Sequence, residues 1–264
     1  MPLTVLKNER TKLNLLPQVS GLQASNGFWK SILAADVDQD GDQDFVCGNI
    51  GNNTRFRASA EAPVSLYVSD FDKNGILDQI YTYTQNGKTY PMQLLHDLNK
   101  RMPFLKKKFL YYKDYSGKSI EEVLGDNYLK EALRLQVFTT ASAIFVQQEN
   151  GGFTAQTLPQ DAQRSCVRAW AWDDFDKDGQ KDLFAAGNFY YNKPELGRFG
   201  GNYGTVLSGD GKGHFTALPL SALGVYTRAQ ITHTALIPVK NDRKYLILAQ
   251  NNTIPAVWTY GKAD

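Results

Sequence analysis

Three nine-residue stretches of this chain carry enough oxygen donors to enclose a metal ion. They read DVDQDGDQD (Asp36 to Asp44), DFDKNGILD (Asp70 to Asp78) and DFDKDGQKD (Asp174 to Asp182). Each fits D-x-[DN]-x-[DN]-G-x-x-D, with carboxylates or amides at positions 1, 3, 5 and 9 and glycine at position 6. So much like charge in one tight turn is unfavourable unless a cation sits among the oxygens. A hard cation that accepts many oxygen ligands in flexible geometry is Ca²⁺. The glycine permits the sharp turn that folds the loop round the ion. The alternative is an Asp/Gly-rich hairpin turn that holds no metal, a reading that three copies in one chain disfavour.

An EF-hand loop begins in the same way, but it needs a bidentate glutamate at position 12 and a helix on each side. Position 12 here is Cys47, Tyr81 and Ala185, and the flanks are β-branched and aromatic runs: Ile32-Leu33-Ala34-Ala35, Phe45-Val46-Cys47, Val64 to Val68 and Ile80-Tyr81-Thr82-Tyr83. Such runs suit strands, so each loop is expected to join two strands.

The loops belong to a longer repeat. Loop one is followed by FVCGNIGNN (Phe45 to Asn53) and loop three by LFAAGNFYYN (Leu183 to Asn192), while YLILAQNN (Tyr245 to Asn252) stands near the C-terminus. Pro238 to Lys244 occupy the loop position of that last copy without the carboxylate pattern, so it should bind no metal. A second element also recurs: Glu149-Asn150-Gly151-Gly152-Phe153-Thr154-Ala155 matches Gly209 to Ala217, each with the glycines of a hairpin turn.

Acidic loops, a short apolar strand, Gly-Asn and an Asn/Asp-Gly-x-Gly-x-Phe hairpin together resemble the FG-GAP/VCBS repeat, which builds β-propeller blades as in integrin α-subunits. The two close loops, the helical insertion, Asp173 to Asn188 and Gly197 to Gly204 are similar to the C-terminal part of large Bacteroidetes-type VCBS-repeat proteins that often bear an ASPIC/UnbV domain; no such domain is visible here. The resemblance covers nearly all of the chain beyond its first two dozen residues. It implies an all-β fold over residues 1–264, a propeller or propeller segment of about four blades, with a helical insertion over 91–135. It also implies about three Ca²⁺ ions. The expected ligands are Asp36, Asp38, Asp40 and Asp44 with the carbonyl of Asp42; Asp70, Asp72, Asn74 and Asp78 with that of Ile76; and Asp174, Asp176, Asp178 and Asp182 with that of Gln180. Asn74 carries no charge, so the second site should be the weakest. An extracellular, periplasmic or cell-surface location is implied as well.

At 264 residues the chain can bury a sizeable core. Propellers commonly need four to eight blades, so four repeats make a small ring or an arc of a larger propeller. An arc would expose strand edges unless a partner covers them. The abrupt Met1-Pro2 start, with no signal peptide and no transmembrane run, suggests a fragment or a trimmed reading frame. With 29 basic and 27 acidic residues, charge argues for neither nucleic acid nor an anionic membrane. Cys47 and Cys166 are too few for a disulfide framework and sit in apolar contexts, so buried thiols are expected. Within the insertion, Ser119 and Glu122 make a capping box, and Lys106-Lys107-Lys108 beside Phe104 and Phe109 read as a solvated helix face over an apolar anchor.

No G-x-S-x-G, H-E-x-x-H or P-loop occurs, and His96, His214 and His233 are scattered. Glycosidase-like use of the aspartates is disfavoured because metal ligation would occupy them. Tyr190, Tyr191, Arg198, Phe199 and Tyr203 form an aromatic, Gly-rich set that could contact a ligand; Trp170 and Trp172 serve inter-blade packing equally well. The leading expectation is a non-catalytic calcium-binding propeller that presents loops for protein or cell-surface interaction. The alternatives are a carbohydrate-binding module and the propeller part of a polysaccharide-degrading enzyme.

Overall fold

A computed structural model describes residues 1–221, 224–240 and 243–260. In chain order the strands are β1 (Val5–Glu9), β2 (Lys12–Leu16), β3 (Ser31–Ala35), β4 (Asp44–Gly48), β5 (Val64–Ser69), β6 (Asp78–Gln85) and β7 (Lys88–Pro91). Five short helices follow: α1 (Leu95–Arg101), α2 (Leu105–Lys108), α3 (Tyr112–Tyr115), α4 (Ile120–Leu124) and α5 (Asp126–Glu131). The remaining strands are β8 (Leu133–Val137), β9 (Ala143–Gln147), β10 (Phe153–Thr157), β11 (Val167–Asp173), β12 (Asp182–Gly187), β13 (Thr205–Gly209), β14 (Phe215–Ala217), β15 (Ile231–Pro238), β16 (Lys244–Gln250) and β17 (Ala256–Tyr260). The fold is mostly β, built as several antiparallel sheets.

The chain divides into two compact units. The first comprises Met1, Ala24–Gly27 and Phe56–Thr139; the second takes in Pro2–Gln23, Phe28–Arg55 and the chain from Thr140 onward. The first unit is therefore inserted between β4 and β9 of the second.

In the first unit the sheet order is β7-β6-β5-β8. Tyr67 and Ile80 of this sheet and Phe71 of the loop between β5 and β6 pack against Leu95, Leu98, Met102, Leu105, Phe109, Ile120, Val123 and Leu124 of the helical segment. None of these helices could persist alone at such lengths; burial of their apolar side against the sheet supports them. The start of α4 is fixed locally: Ser119 Oγ accepts from Glu122 N at 3.3 Å and the Glu122 carboxylate accepts from Ser119 N at 2.9 Å. Lys106, Lys107 and Lys108 are exposed while Leu105 and Phe109 are buried.

The second unit stacks three sheets beside the β1–β2 hairpin: β10-β9-β4-β3, β11-β12-β13-β14 and the three-stranded β15-β16-β17. Period-2 alternation decides how they stack. Along β11 and β12, Trp170, Leu183 and Ala185 face the sheet of β3 and β4, joining Ala35, Val46 and Ile144. Their neighbours Ala169, Ala171, Phe184 and Ala186 face the last sheet, joining Ile231, Leu246 and Leu248. The middle sheet is thus buried on both faces, as its near-continuous apolar strands require. On the far side of the first sheet, Cys47, Phe145 and Phe153 are covered by Leu22 with Leu3, Val5, Val19 and Trp29 from the N-terminal segment.

Close approach sets two glycines. A Cβ on Gly48 would lie 2.2 Å from the Val167 carbonyl oxygen, and one on Gly187 would lie 1.8 Å from that of Cys166. The Gly-Asn pairs of the repeat therefore seat the ends of β4 and β12 against the segment that opens β11. Asn49 Oδ1 accepts from Phe28 N and Ile50 N, and Asn188 Oδ1 accepts from Asn202 N. The turn of the last repeat includes Asn241 and Asp242, which lie outside the described residues. Both cysteines are buried free thiols. Among the described residues no helix is long and apolar enough to cross a membrane.

Candidate metal centres

Loop one joins β3 to β4 and loop three joins β11 to β12, both in the second unit; loop two joins β5 to β6 in the first unit. All three close by the same hydrogen bonds. The position-1 carboxylate accepts from the position-6 glycine N–H: Asp36 from Gly41 (3.1 Å), Asp70 from Gly75 (2.8 Å) and Asp174 from Gly179 (3.2 Å). The position-5 side chain accepts from the position-7 N–H: Asp40 from Asp42, Asn74 from Ile76 and Asp178 from Gln180. Two residues in each loop adopt positive φ. Position 6 is glycine, but position 4 is Gln39 (φ 62), Lys73 (φ 59) or Lys177 (φ 67). A non-glycine residue tolerates that region only at a cost, so the side-chain network holds it there.

Position 9 has a task beyond the ligand role expected of it. Asp44, Asp78 and Asp182 are buried at the strand entrance, and each accepts the backbone N–H of position 2: Val37, Phe71 and Phe175. The second oxygen of Asp44 also accepts from Gln147 N (2.8 Å), and that of Asp182 from Gly209 N (3.1 Å). Asp44 and Asp182 thus tie their acidic loops to the neighbouring hairpin of the same sheet. Burial pushes all three carboxyls above the ordinary Asp range, against the pull of the backbone donors.

The carboxylates converge in three groups whose oxygens lie within 4.8 Å of one another: Asp36, Asp38 and Asp40; Asp70, Asp72 and Asp78; Asp174, Asp176 and Asp182. Asp44 and Asp178 lie outside these groups. Asp44 has its oxygens turned to Val37 and Gln147, and Asp178 has one on Gln180 N. Several donor atoms are left over. Oδ1 of Asp36, Asp38, Asp42 and Asp72 is shielded from solvent and has no hydrogen-bond partner. A buried carboxylate oxygen without a donor is costly, and a cation among them removes that cost. The Asp42 side chain was not among the expected ligands, only its carbonyl. Burial, then the charges of Asp40 and Asp38, raise its pKa. The three acidic groups can hold metal ions, and an all-oxygen donor set of this kind suits a hard cation.

Loops one and three meet: Gln39 Nε2 donates to Gln180 Oε1 at 2.8 Å. Beside loop three, the buried Asp173 carboxylate takes Lys181 (2.7 Å), Lys244 of β16 and the Tyr260 hydroxyl of β17 (2.6 Å). Burial opposes its ionisation, but these donors outweigh burial and hold the carboxyl well below the usual range. The same contact raises the Tyr260 phenol, after the larger effect of burial.

The aromatic set resolves differently from the sequence reading. Phe199 is buried and exchanges both backbone hydrogen bonds with Phe189, so its side chain packs inward and is not offered to a ligand. Tyr190 and Arg198 come together at 5.7 Å, and Tyr191 is exposed with its hydroxyl accepting from Asn252. Tyr203 stacks on Tyr226 at 5.4 Å and 5°, and the Arg228 guanidinium lies 5.8 Å from both rings. Tyr226 and Arg228 escaped sequence reasoning because they precede β15, distant in sequence from Tyr203; the Y-x-R spacing was the available signal. Comparison with family models, with curated proteins and with solved structures found no match to this chain.

Proposed function

We propose that this chain is a calcium-stabilised β-propeller protein, or a segment of one, that displays loops for interaction with a protein or glycan at the cell surface. The observation that carries the metal reading is the repetition of one hydrogen-bonded loop three times, with buried carboxylate oxygens left without donors in two of the copies. The face-to-face stacking of antiparallel sheets in the second unit supports a propeller, and β11-β12-β13-β14 has the sequential four-stranded order of a blade. In the first loop Asp36, Asp38, Asp40 and Asp42 would hold the ion; in the second, Asp70, Asp72, Asn74 and Asp78; in the third, Asp174, Asp176 and Asp182. Bound calcium supplies charge neutralisation and cross-links strand ends. The chain's own residues shape the loop and anchor it through Asp44, Asp78 and Asp182.

Thermal melting in EDTA and in millimolar Ca²⁺ tests this. A structural ion adds roughly 2.7 kcal/mol per site when calcium stands at about a hundred times Kd, so melting should rise by several degrees. An unchanged melting curve overturns the reading.

A further inference from the structure

The start of β3, the start of β11 and the start of β15 surround a cavity of about 280 Å³ in the second unit. Lys30, Arg168 and His233 line it, and no carboxylate does. Its hydroxyls are spent on the backbone: Ser31 donates to Val167 O, Thr232 to Ala249 O and Thr234 to Trp170 O. Its basic side chains have no acidic partner among the described residues. None of the ion pairs among the described residues involves Lys30, Arg168 or His233. Trp170 also lines the cavity; it is 8 % exposed and its indole N–H has no acceptor.

Strand direction extends this asymmetry. Loops one and three lie at the far ends of β3 and β11. The Gly187-Asn188 end of β12 and the approach to β15 therefore share the near end with the cavity. There Arg168 lies 5.7 Å from the Phe189 ring, Arg198 lies over Tyr190, and Arg228 lies over the Tyr203–Tyr226 pair, again without acidic partners among the described residues. The second unit is acidic at one end of its strands and carries cations laid on aromatic rings, without acidic partners among the described residues, at the other.

We propose that this near end binds the carboxylates of an acidic polysaccharide. Guanidinium and ammonium groups without acidic partners recognise carboxylate oxygens by charge-assisted hydrogen bonds, and the exposed faces of Tyr191 and Tyr226 offer flat apolar planes to the C–H faces of sugar rings. A nucleic acid fits less well, because it needs cations spaced along several phosphates, whereas of these cations only Lys30 and Arg168 line the cavity. The inference names the partner class of the interaction module proposed above, but it does not depend on calcium.

Calorimetry with the full chain, in saturating calcium, should use a hyaluronan oligosaccharide, a neutral glucan of equal length and a single-stranded oligonucleotide. The acidic sugar should bind and the neutral one should not. Arg168→Gln and the exposed Arg228→Gln should each weaken binding about tenfold with melting temperature retained, and Lys212→Gln, in the hairpin at the acidic end, should leave it unchanged. No binding of the acidic sugar, equal binding of the oligonucleotide, or equal loss in Lys212→Gln overturns the proposal. Melting of the same protein with and without EDTA reads the calcium role separately.

Discussion

The Asp38 carboxylate has opposite effects in the two metal states. Without a cation its Oδ1 is buried, unpaired and close to the Asp36 and Asp40 oxygens; with one it becomes a ligand. Asp38→Asn should therefore raise the melting temperature in EDTA and lower it in millimolar Ca²⁺. A variant that shifts in the same direction in both buffers would show that repulsion in the loop is not what the ion relieves. The position-6 glycines allow a cleaner measurement. A Cβ on Gly75 would meet nothing within 4 Å, yet its φ is +86°. Gly75→Ala should cost about 1 kcal/mol through backbone conformation alone, measured by urea unfolding. Gly187→Ala, which drives a methyl into the Cys166 carbonyl, should cost several times more. The residue types and spacing of the loops announced the clusters in advance. The anchoring role of position 9 was not legible, because a carboxylate at the end of the motif looks the same whether, as in Asp44, its oxygens turn to the N–H groups of Val37 and Gln147 or, as in Asp78 and Asp182, they also join the cluster.

At the scale of elements, strands flanking each loop followed from β-branched and aromatic runs, and the start of α4 followed from the Ser119 capping box; the helical insertion expected over 91–135 ends earlier, because Leu133 to Leu135 open β8 and pair with β5. Ser119→Ala should destabilise the first unit by about 1 kcal/mol. Pairing order was less legible. Nothing local in Ala143-Ile144-Phe145 announces that it pairs with Phe45-Val46-Cys47 across an intervening unit; hydrophobic runs specify burial but not partner. Asp173 was also passed over, since its meaning depends on Lys244 and Tyr260 arriving from the next sheet. Its pKa is lowered in the fold, so its stabilising effect is full above the ordinary Asp value of about 3.9 and is lost as pH falls below it. Asp173→Asn should lower stability by about 2 kcal/mol at pH 7, because Lys181 and Lys244 are partly exposed and regain water when the charge is removed. In thermal melts the difference from the parent chain should shrink steadily below about pH 4. A gap that stays constant into acid would assign the loss to packing and not to charge.

At the scale of the molecule, the chain leaves the second unit after Arg55 and re-enters it at Thr140, and Gly51 N donates to Thr140 O at 2.8 Å. The exit and the return are adjacent, which is the geometry that tolerates domain insertion. Replacing residues 56–139 by a short Gly/Ser linker should leave the second unit folded, with a cooperative melt and two calcium sites in place of three. Loss of cooperative unfolding would show that the first unit is needed as a scaffold.

The same insertion sets an order of events during synthesis. Strand β4 emerges with β3 as its only neighbour, and its other edge stays bare until β9 has been made. At ribosomal rates of about 5–20 residues per second, the first unit takes on the order of ten seconds to pass. In that interval Val46 and Cys47, fully buried at the end, have no cover on that edge. The first unit is nearly continuous in sequence and can close by itself during the delay. Whatever holds the β3–β4 hairpin in register until then must come from within the hairpin, and the loop that joins its two strands is loop one. A cation captured there would act as a clasp on the nascent chain before it served the finished protein.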